Sequence, residues 1–177
     1  MSLKKLRGEA MVIAVDIDGT IAQTTRRLVP YLGLKIIYDY NPFSSIQEEG
    51  EFFRKNEQIF NELRPYDGAA KVLWLIKRHG WDVVYLTSRS PSVKNITRLW
   101  LLKNRFPPGE LIFTSDKASV LGQIKAQVFV EDAPKYIEAA SDITTILIKD
   151  QPYNRHISGR RFKRWHEVLS LLKAAIS

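Results

Sequence analysis

The chain has 177 residues, of which 45% are hydrophobic and 26% charged, a composition typical of a globular protein with one sizeable domain. It has no apolar run near the roughly 20 residues that a membrane helix needs, and no cysteine, which excludes disulfides and thiolate chemistry. The net charge of +8 would attract anionic partners such as phosphate esters or nucleic acid, but on charge alone a solvated lysine-rich surface is the preferred interpretation.

Short apolar, β-branched runs alternate with helical patterns along the chain. Strands are predicted at 11–17, 82–87, 110–113, 127–130 and 144–148. Helices are predicted at 46–63, 69–79, 90–105, 115–124, from 132 onward and at 163–175. The basic run 160–165 is interpreted as a solvated helix start, and Ser115 as a helix N-cap. The alternation predicts an α/β fold, Rossmann-like, with a parallel sheet of five strands and helices on both faces.

The first predicted strand ends in the acidic motif Asp16-Ile17-Asp18-Gly19-Thr20. Residues two apart in an extended chain point the same way, so Asp16 and Asp18 are expected to share one side. Two poorly solvated carboxylates repel each other, and a cation or a proton must relieve the repulsion. Gly19 permits a sharp exit from the strand with positive φ. A turn-forming Asp-Gly pair is the simpler alternative, but Asp16 lies inside the apolar run.

Polar side chains also follow the next three predicted strands. Thr87, Ser88 and Arg89 offer hydroxyls and a cation suited to phosphoryl oxygens. Lys117 opens the helix after the third strand, where a lysine is mildly unfavourable for the helix dipole. Because the carboxyl ends of parallel strands meet at one edge of a sheet, these groups are expected to converge with the first motif.

The fourth predicted strand ends in a second acidic pair, Glu131 and Asp132. Asp132 is well placed to cap the helix that begins near Pro134. Capping would explain Asp132 without any chemistry, but it gives Glu131 no role.

In this order, the acid pair, the hydroxyls, the lysine and the second acid pair resemble the haloacid dehalogenase-like (HAD) phosphohydrolases. The resemblance runs from about Met11 to Ile148. Finer similarity is to the 5′(3′)-deoxyribonucleotidase branch, through Leu86-Thr87-Ser88, Asp116-Lys117 and Gln151-Pro152-Tyr153-Asn154. The sequence departs from that branch at Glu131, where aspartate is usual, and at Arg89 and Ser115.

The resemblance implies a magnesium-dependent phosphomonoester hydrolase, with Asp16 as nucleophile and Asp18 as general acid and base. Asp18 would have to begin protonated, which a neighbouring carboxylate favours. Thr87 and Lys117 are expected to stabilise the transferring phosphoryl group. The residues implied to bind the substrate are Gly19, Thr20, Ser88 and Arg89. The residues implied to hold Mg²⁺ are Asp16, Asp18 through its carbonyl, Asp132 and, through a bound water, Glu131.

In this family a cap over the active site is inserted after the first strand, and here residues 21–64 are the expected cap. Residues 1–20 and 65–177 would form the catalytic core. The cap segment is rich in aromatic residues, most of which are expected to form its own small core while one or two could stack on a nucleobase. They are Tyr31, Tyr38, Tyr40, Phe43, Phe52, Phe53 and Phe60.

The expected substrate is a small phosphorylated molecule, in first place a (deoxy)nucleoside monophosphate hydrolysed by a 5′-nucleotidase. Two alternatives are another small phosphoester and a nucleic-acid 3′-phosphate. A third, of a different class, is a catalytically inactive nucleic-acid-binding module that uses the basic charge, although intact Asp16 and Asp18 argue against it. No signal peptide or membrane segment is apparent, so a cytoplasmic protein is expected.

Overall fold

The computed structural model describes residues 10–39, 43 and 45–176. In that part of the chain six strands form a single sheet. They are Val12–Val15 (β1), Asp82–Thr87 (β2), Glu110–Phe113 (β3), Val128–Glu131 (β4), Thr145–Lys149 (β5) and Arg160–Phe162 (β6). The strand order is β3-β2-β1-β4-β5-β6, and all neighbours are parallel.

Eight α-helices accompany these strands in the described residues. They are Thr24–Leu32 (α1), Ile46–Lys55 (α2), Ile59–Glu62 (α3), Ala69–Arg78 (α4), Lys94–Lys103 (α5), Lys117–Gln123 (α6), Pro134–Ala140 (α7) and Val168–Ile176 (α8). Short 3₁₀ turns lie at Leu34–Ile37, Pro91–Val93, Pro152–Asn154 and Trp165–Glu167. None of the described helices has the length and apolar character required to cross a membrane.

The sheet is buried on both faces because successive side chains of its central strands point to opposite sides. Ile13 and Val15 of β1 pack with residues of α4, α5 and α8, whereas Ala14 packs with residues of α6 and α7. All three side chains are fully buried. This two-sided burial explains why β1 is a continuous apolar run rather than an alternating one.

The α/β class and the parallel sheet are confirmed, but the prediction of five strands is wrong. β6 was missed because its sequence, Arg160-Arg161-Phe162, resembles a polar helix start more than a strand. It is an edge strand that pairs only with β5, and charged residues are common on such edges. The helix predicted at 163–175 begins later, at Val168.

The segment between β1 and α4 is helical and continuous with the main core. Leu28, Ile36 and Phe60 are buried in the same hydrophobic cluster as Ile13 and Val15. The two ends of the segment lie together, since the Gln23 amide donates to the Arg64 carbonyl and the Tyr66 amide to the Ile21 carbonyl, both at 2.8 Å. An insertion that leaves and returns at one place has this geometry, and its action as a cap remains a prediction.

Most aromatic residues of this segment contact one another. Phe52 lies against the rings of Tyr31, Phe43 and Phe53, and Phe53 stacks on Phe60 at 5.2 Å between centroids. These contacts form an aromatic cluster, but it is not a separate core of the segment, because Phe60 belongs to the main hydrophobic cluster and Phe52 and Phe53 pack against it. Tyr31 and Tyr38 are exposed, at 41% and 73%, and Tyr40 lies outside the described residues.

Candidate active site

The site lies where the strand order reverses. β1 pairs with β2 on one side and with β4 on the other, so the loops that follow these strands diverge and leave a crevice at their carboxyl ends. Asp16 follows β1, Thr87 ends β2, and Asp132 follows β4. The Asp16 amide donates to the Val130 carbonyl at 2.9 Å, which holds the two acidic strand ends side by side. The predicted convergence of the strand-end groups is therefore observed.

Three buried carboxylates form the centre of this crevice. One oxygen each from Asp16, Glu131 and Asp132 lies within 4.8 Å of the other two. Burial raises the pKa of Asp16 to about 8, and the nearby Glu131 adds to the rise although Lys117 opposes it. Burial also raises the pKa of Asp132 well above its ordinary value, with contributions from Glu131 and Asp16. The cluster thus has more negative charge than its own cation compensates.

Lys117 supplies that cation. Its Nζ donates to Asp16 Oδ1 at 2.5 Å and to Glu131 Oε2 at 2.7 Å, and the side chain is 1% exposed. Burial alone would lower the pKa of Lys117, but the two carboxylates raise it above its ordinary value. The Tyr136 ring covers the ammonium group at 4.1 Å. Lys117 is charged and fixed, and it points directly at Asp16.

The N-cap of α6 is Asp116, whose carboxylate accepts from the Ser119 amide at 3.1 Å. The prediction that Ser115 caps this helix is therefore wrong by one residue. Because α6 begins at Lys117, the capped first turn sets the direction of the lysine side chain.

Glu131 is held by neighbours on both of its oxygens. Oε2 accepts from Lys117, and Oε1 accepts from the backbone amides of Asp132 at 2.9 Å and Ala133 at 3.0 Å. The side chain is fully buried. This arrangement makes Glu131 a support for Lys117 and for the start of α7.

Asp132 does not cap α7, contrary to the simpler interpretation of the sequence. Its Oδ1 accepts from the Thr20 hydroxyl at 2.6 Å, and its Oδ2 accepts from the Tyr153 hydroxyl. The residue before α7 is Ala133, which offers no side-chain cap. Thr20, which follows β1, and Tyr153, which follows β5, therefore hold the Asp132 carboxylate beside Asp16.

Gly19 and Thr20 make room for Asp132 and orient it. Thr20 was expected to bind the substrate, but its side chain is fully buried and its hydroxyl donates a hydrogen bond to Asp132. Gly19 has φ +81°, and a Cβ at this position would lie 2.2 Å from Asp132 Oδ2. Both residues therefore act on the carboxylate cluster in this structure.

We expect Gly19→Ala to lose metal-supported activity and to destabilise the fold by about 1–3 kcal/mol, since a side chain at positive φ is strained and here meets a fixed carboxylate. Gly33→Ala is the matched control. Gly33 also has a positive φ, +74°, but a Cβ there would have no atom within 4 Å. Thermal unfolding and phosphate release of both variants measure the difference, and equal activity losses would contradict the steric explanation.

The carboxylate of Asp18 stands apart from the three-acid cluster. It accepts from Arg89 Nε at 2.7 Å and Nη2 at 2.8 Å, and from the Thr24 hydroxyl at 2.6 Å. Burial acts to raise the pKa of Asp18, but Arg89 and Thr24 outweigh it and the pKa is lowered. The expectation that a neighbouring carboxylate keeps Asp18 protonated is therefore wrong for this arrangement.

The hydroxyls after β2 differ in accessibility. Thr87 is fully buried, and its Oγ1 accepts from the Arg89 amide at 3.2 Å. Ser88, the residue after β2, is exposed, whereas the Arg89 side chain is 2% exposed. Ser88 is thus open to a ligand, and Arg89 faces inward to Asp18.

The segment after β5 supports the site in ways that residue patterns did not indicate. The Gln151 amide group donates to the Gly19 carbonyl and to the Tyr66 hydroxyl, both at 2.7 Å. Asn154 Nδ2 donates to the carbonyls of Asp132 at 2.7 Å and Lys149 at 2.9 Å. In the sequence, the family resemblance was the feature that pointed to Gln151–Asn154, and it assigned these residues no role.

The site meets the requirements of a divalent cation such as Mg²⁺. Asp16 Oδ2 is buried and has no hydrogen-bond partner among the described residues. Such an atom is costly unless a cation or proton satisfies it. Carboxylate oxygens are the hard ligands that Mg²⁺ prefers, and Asp16 and Asp132 offer them at this point.

Solved structures with the same fold include hydrolases of the HAD superfamily. A HAD-family hydrolase of Deinococcus radiodurans with bound phosphate and sodium matches with TM-score 0.66 and 12% identity, over 96% of this chain and 97% of that one. A HAD hydrolase of Entamoeba histolytica matches with TM-score 0.63 and 11% identity, over 94% and 100%. Identity this low shows the fold alone. The fold class is therefore the HAD-like α/β fold with a parallel sheet.

Within that class, residues 38–176 match the family model described as 5′ nucleotidase, deoxy (pyrimidine), cytosolic type C. This chain belongs to that nucleotidase family. A "putative 5′(3′)-deoxyribonucleotidase" of Chlorobaculum tepidum is 24% identical over 95% of this chain and 93% of its own length. A "putative nucleotidase" of Oceanobacillus iheyensis is 28% identical over 72% and 73%.

Proposed function

We propose that the protein is a magnesium-dependent phosphatase that hydrolyses (deoxy)nucleoside monophosphates through a phosphoaspartyl intermediate on Asp16. The observation that carries the proposal is the environment of the Asp16 carboxylate. One oxygen is fixed on the buried Lys117, and the other is buried without a partner beside Asp132. A nucleophile needs such a fixed orientation.

In the first step the Asp16 carboxylate attacks phosphorus, the Asp16–phosphorus bond forms, and the ester bond to the leaving oxygen breaks. Lys117, Thr87 and Ser88 are the groups proposed to contact the phosphoryl group, where negative charge develops, and Lys117 offsets that charge. Bound Mg²⁺, held by Asp16, Asp132 and the Asp18 carbonyl, would supply further neutralisation of the phosphoryl charge.

In the second step water attacks the phosphorus of the phosphoaspartate, and the carboxylate of Asp16 and inorganic phosphate are released. Asp18 gives a proton to the leaving oxygen in the first step and takes one from the water in the second. Ionised Asp18, as its lowered pKa favours, is the form that the second step requires. A dianionic substrate close to Asp18 raises its pKa toward the protonated form that the first step requires.

The nucleotide preference is supported by the family to which the chain belongs and by the two relatives described as nucleotidases. We expect a metal-supplemented phosphate-release screen to show nucleoside monophosphates among the best substrates, and excess EDTA to abolish the activity. Sugar phosphates hydrolysed much faster than every nucleotide would overturn the nucleotide assignment. A preference for oligonucleotide 3′-phosphates would favour a nucleic-acid end, and salt-sensitive oligonucleotide binding without turnover would favour an inactive binding module.

Metal binding can be tested without turnover. With no cation bound, Asp16 has a pKa of about 8 against an ordinary 3.8, so its protonated form stabilises the fold at low pH. This contribution is lost as the pH rises through about 8. We therefore expect the melting temperature of the metal-free protein to fall between about pH 5 and pH 8, and about 10 mM Mg²⁺ to raise it more at pH 8 than at pH 6.

The matched control for this measurement is Asp82→Asn. Asp82 is exposed and is the first residue of β2, so it lies at the amino end of the strands, whereas the site lies at their carboxyl end. That variant should respond to Mg²⁺ like the wild type, whereas Asp132→Asn should lose the response. A Mg²⁺ shift that is equal at both pH values and in both variants would contradict a site at the carboxylate cluster. The cytoplasmic location and the cap action of residues 21–64 remain predictions.

A further inference from the structure

Arg89 is the most tightly enclosed cation of the site after Lys117. Its Nε and Nη2 donate to the two oxygens of Asp18 at 2.7 and 2.8 Å, a paired geometry that fixes the plane of the carboxylate as well as its position. Its Nη1 donates to the Thr97 hydroxyl at 3.0 Å, in α5. Thr97 is itself fully buried, so this third bond ties the guanidinium to the core.

The segment between β1 and α4, which is the insertion, covers the remaining side of the Arg89 guanidinium. The ring of Phe60, in α3, lies 4.4 Å from the Arg89 guanidinium carbon. Thr24, in α1 of the same insertion, donates to Asp18 at 2.6 Å. Asp18 and Arg89 therefore lie at a junction between the sheet, α5 and the insertion, and neither can rotate without breaking several contacts.

This enclosure is hard to reconcile with direct substrate binding, which the sequence suggested for Arg89. Three of its N–H groups are engaged, and its side chain is 2% exposed, whereas that of Asp18 is 29% exposed. The part of the pair that a ligand can reach is the carboxylate.

We propose that Arg89 is a positioning residue, which holds the Asp18 carboxylate in the orientation that transfers a proton to the leaving oxygen, and that it does not bind the substrate's phosphate. The inference rests on the proposed function, in which Asp18 protonates that oxygen. Proton transfer by a side chain requires hydrogen-bond reach to the reacting oxygen, and loss of orientation reduces its rate.

The test compares Arg89→Met with Asp18→Asn on two substrates of different leaving group. A nucleoside monophosphate releases a poor leaving group that needs the proton, whereas p-nitrophenyl phosphate releases a phenolate that does not. We expect Arg89→Met to lower kcat/KM for the nucleotide by about 100-fold and kcat/KM for p-nitrophenyl phosphate by less than about tenfold. The ratio kcat/KM is compared because it reports the first step, in which the leaving oxygen is protonated, whereas the second step is the same for both substrates.

The double variant and the controls separate positioning from binding. Asp18→Asn should show the same dependence on leaving group, and Asp18→Asn with Arg89→Met should be no slower than Asp18→Asn alone, because the two residues act as one unit. Arg98→Met is the matched control, since Arg98 is an exposed arginine of α5, and it should behave as wild type. Arg89→Lys keeps the charge but not the paired N–H groups, so its activity on the nucleotide should lie between that of wild type and that of Arg89→Met.

An equal loss of kcat/KM for both substrates in Arg89→Met, with losses that multiply in the double variant, would show that Arg89 binds phosphate and would overturn the proposal. If Arg89→Met does not fold, Thr97→Val and Arg89→Lys provide the same comparison of leaving groups. The proposed function fails separately, if wild type hydrolyses neither substrate or if Asp18→Asn shows no dependence on leaving group.

Discussion

Replacement of Asp16 by asparagine is expected to lower phosphate release by at least about 1,000-fold while the protein remains folded. The amide is a poor nucleophile and cannot form the phosphoaspartyl bond. The fold should tolerate the change because it removes a carboxylate that burial and Glu131 disfavour in its charged form. In metal-free buffer near pH 8, the melting temperature of Asp16→Asn should equal or exceed that of the wild type.

Phosphate release at saturating substrate and thermal unfolding of the same preparation check both parts of this prediction. Asp82→Asn is again the control for the chemical change, at an exposed position far from the crevice. Turnover that persists in Asp16→Asn would exclude Asp16 as the nucleophile. An inactive variant that is also much less stable would leave loss of the fold as the cause.

Replacement of Lys117 by methionine is expected to be damaging in both respects. The change leaves Asp16 and Glu131 buried without their shared cation, and removal of one partner from a buried pair costs about 3–5 kcal/mol. Turnover should fall as well, since no ammonium group then offsets the charge on the phosphoryl group. The pKa of Asp16 should rise further, so the loss of stability should be larger at about pH 8 than at pH 5.

Urea unfolding at the two pH values, with and without Mg²⁺, measures this effect. Lys103→Met, at an exposed lysine of α5, is the matched control and should change neither stability nor turnover substantially. Mg²⁺ should recover part of the stability of Lys117→Met, because a cation at the cluster replaces some of the missing charge. A variant as stable as wild type at pH 8 would mean that Asp16 and Glu131 do not depend on Lys117.

Local patterns predicted well the elements that have a clear apolar pattern. β2 was predicted to the residue, because Val83, Val84 and Leu86 lie in an apolar run that is typical of a buried strand. β3 was also predicted to the residue, although it is an edge strand whose side chains are at most partly buried. α4 was predicted within one residue at its end, since Gly80 follows it with a positive φ. In these places composition and burial agree.

Local patterns failed where a distant partner decides the structure. Arg161 was predicted to be solvated, but in β6 its Nη1 donates to Asp150 Oδ1 at 2.9 Å and to Asn154 Oδ1 at 2.6 Å. Residues 46–63 were predicted to form one helix, but the structure has two helices there, α2 and α3. At the end of α2 the side chain of Asn56 donates to the Phe52 carbonyl at 2.8 Å. α1, with Pro30 inside it, was not predicted.

The sequence by itself determined the class of fold and the groups available for chemistry. Apolar runs alternating with amphipathic helices can bury their surface only as a covered parallel sheet, and parallel strands bring Asp16, Thr87 and Asp132 to one edge. Only the tertiary structure decided how the acids differ. Asp16 keeps an oxygen without a partner, Asp132 is held by Thr20 and Tyr153, and Asp18 is fixed by Arg89. The physical reason is that charge and hydrogen bonding inside a protein depend on neighbours that are distant in the chain, such as Gln151, which bonds to Gly19 over a separation of 132 residues.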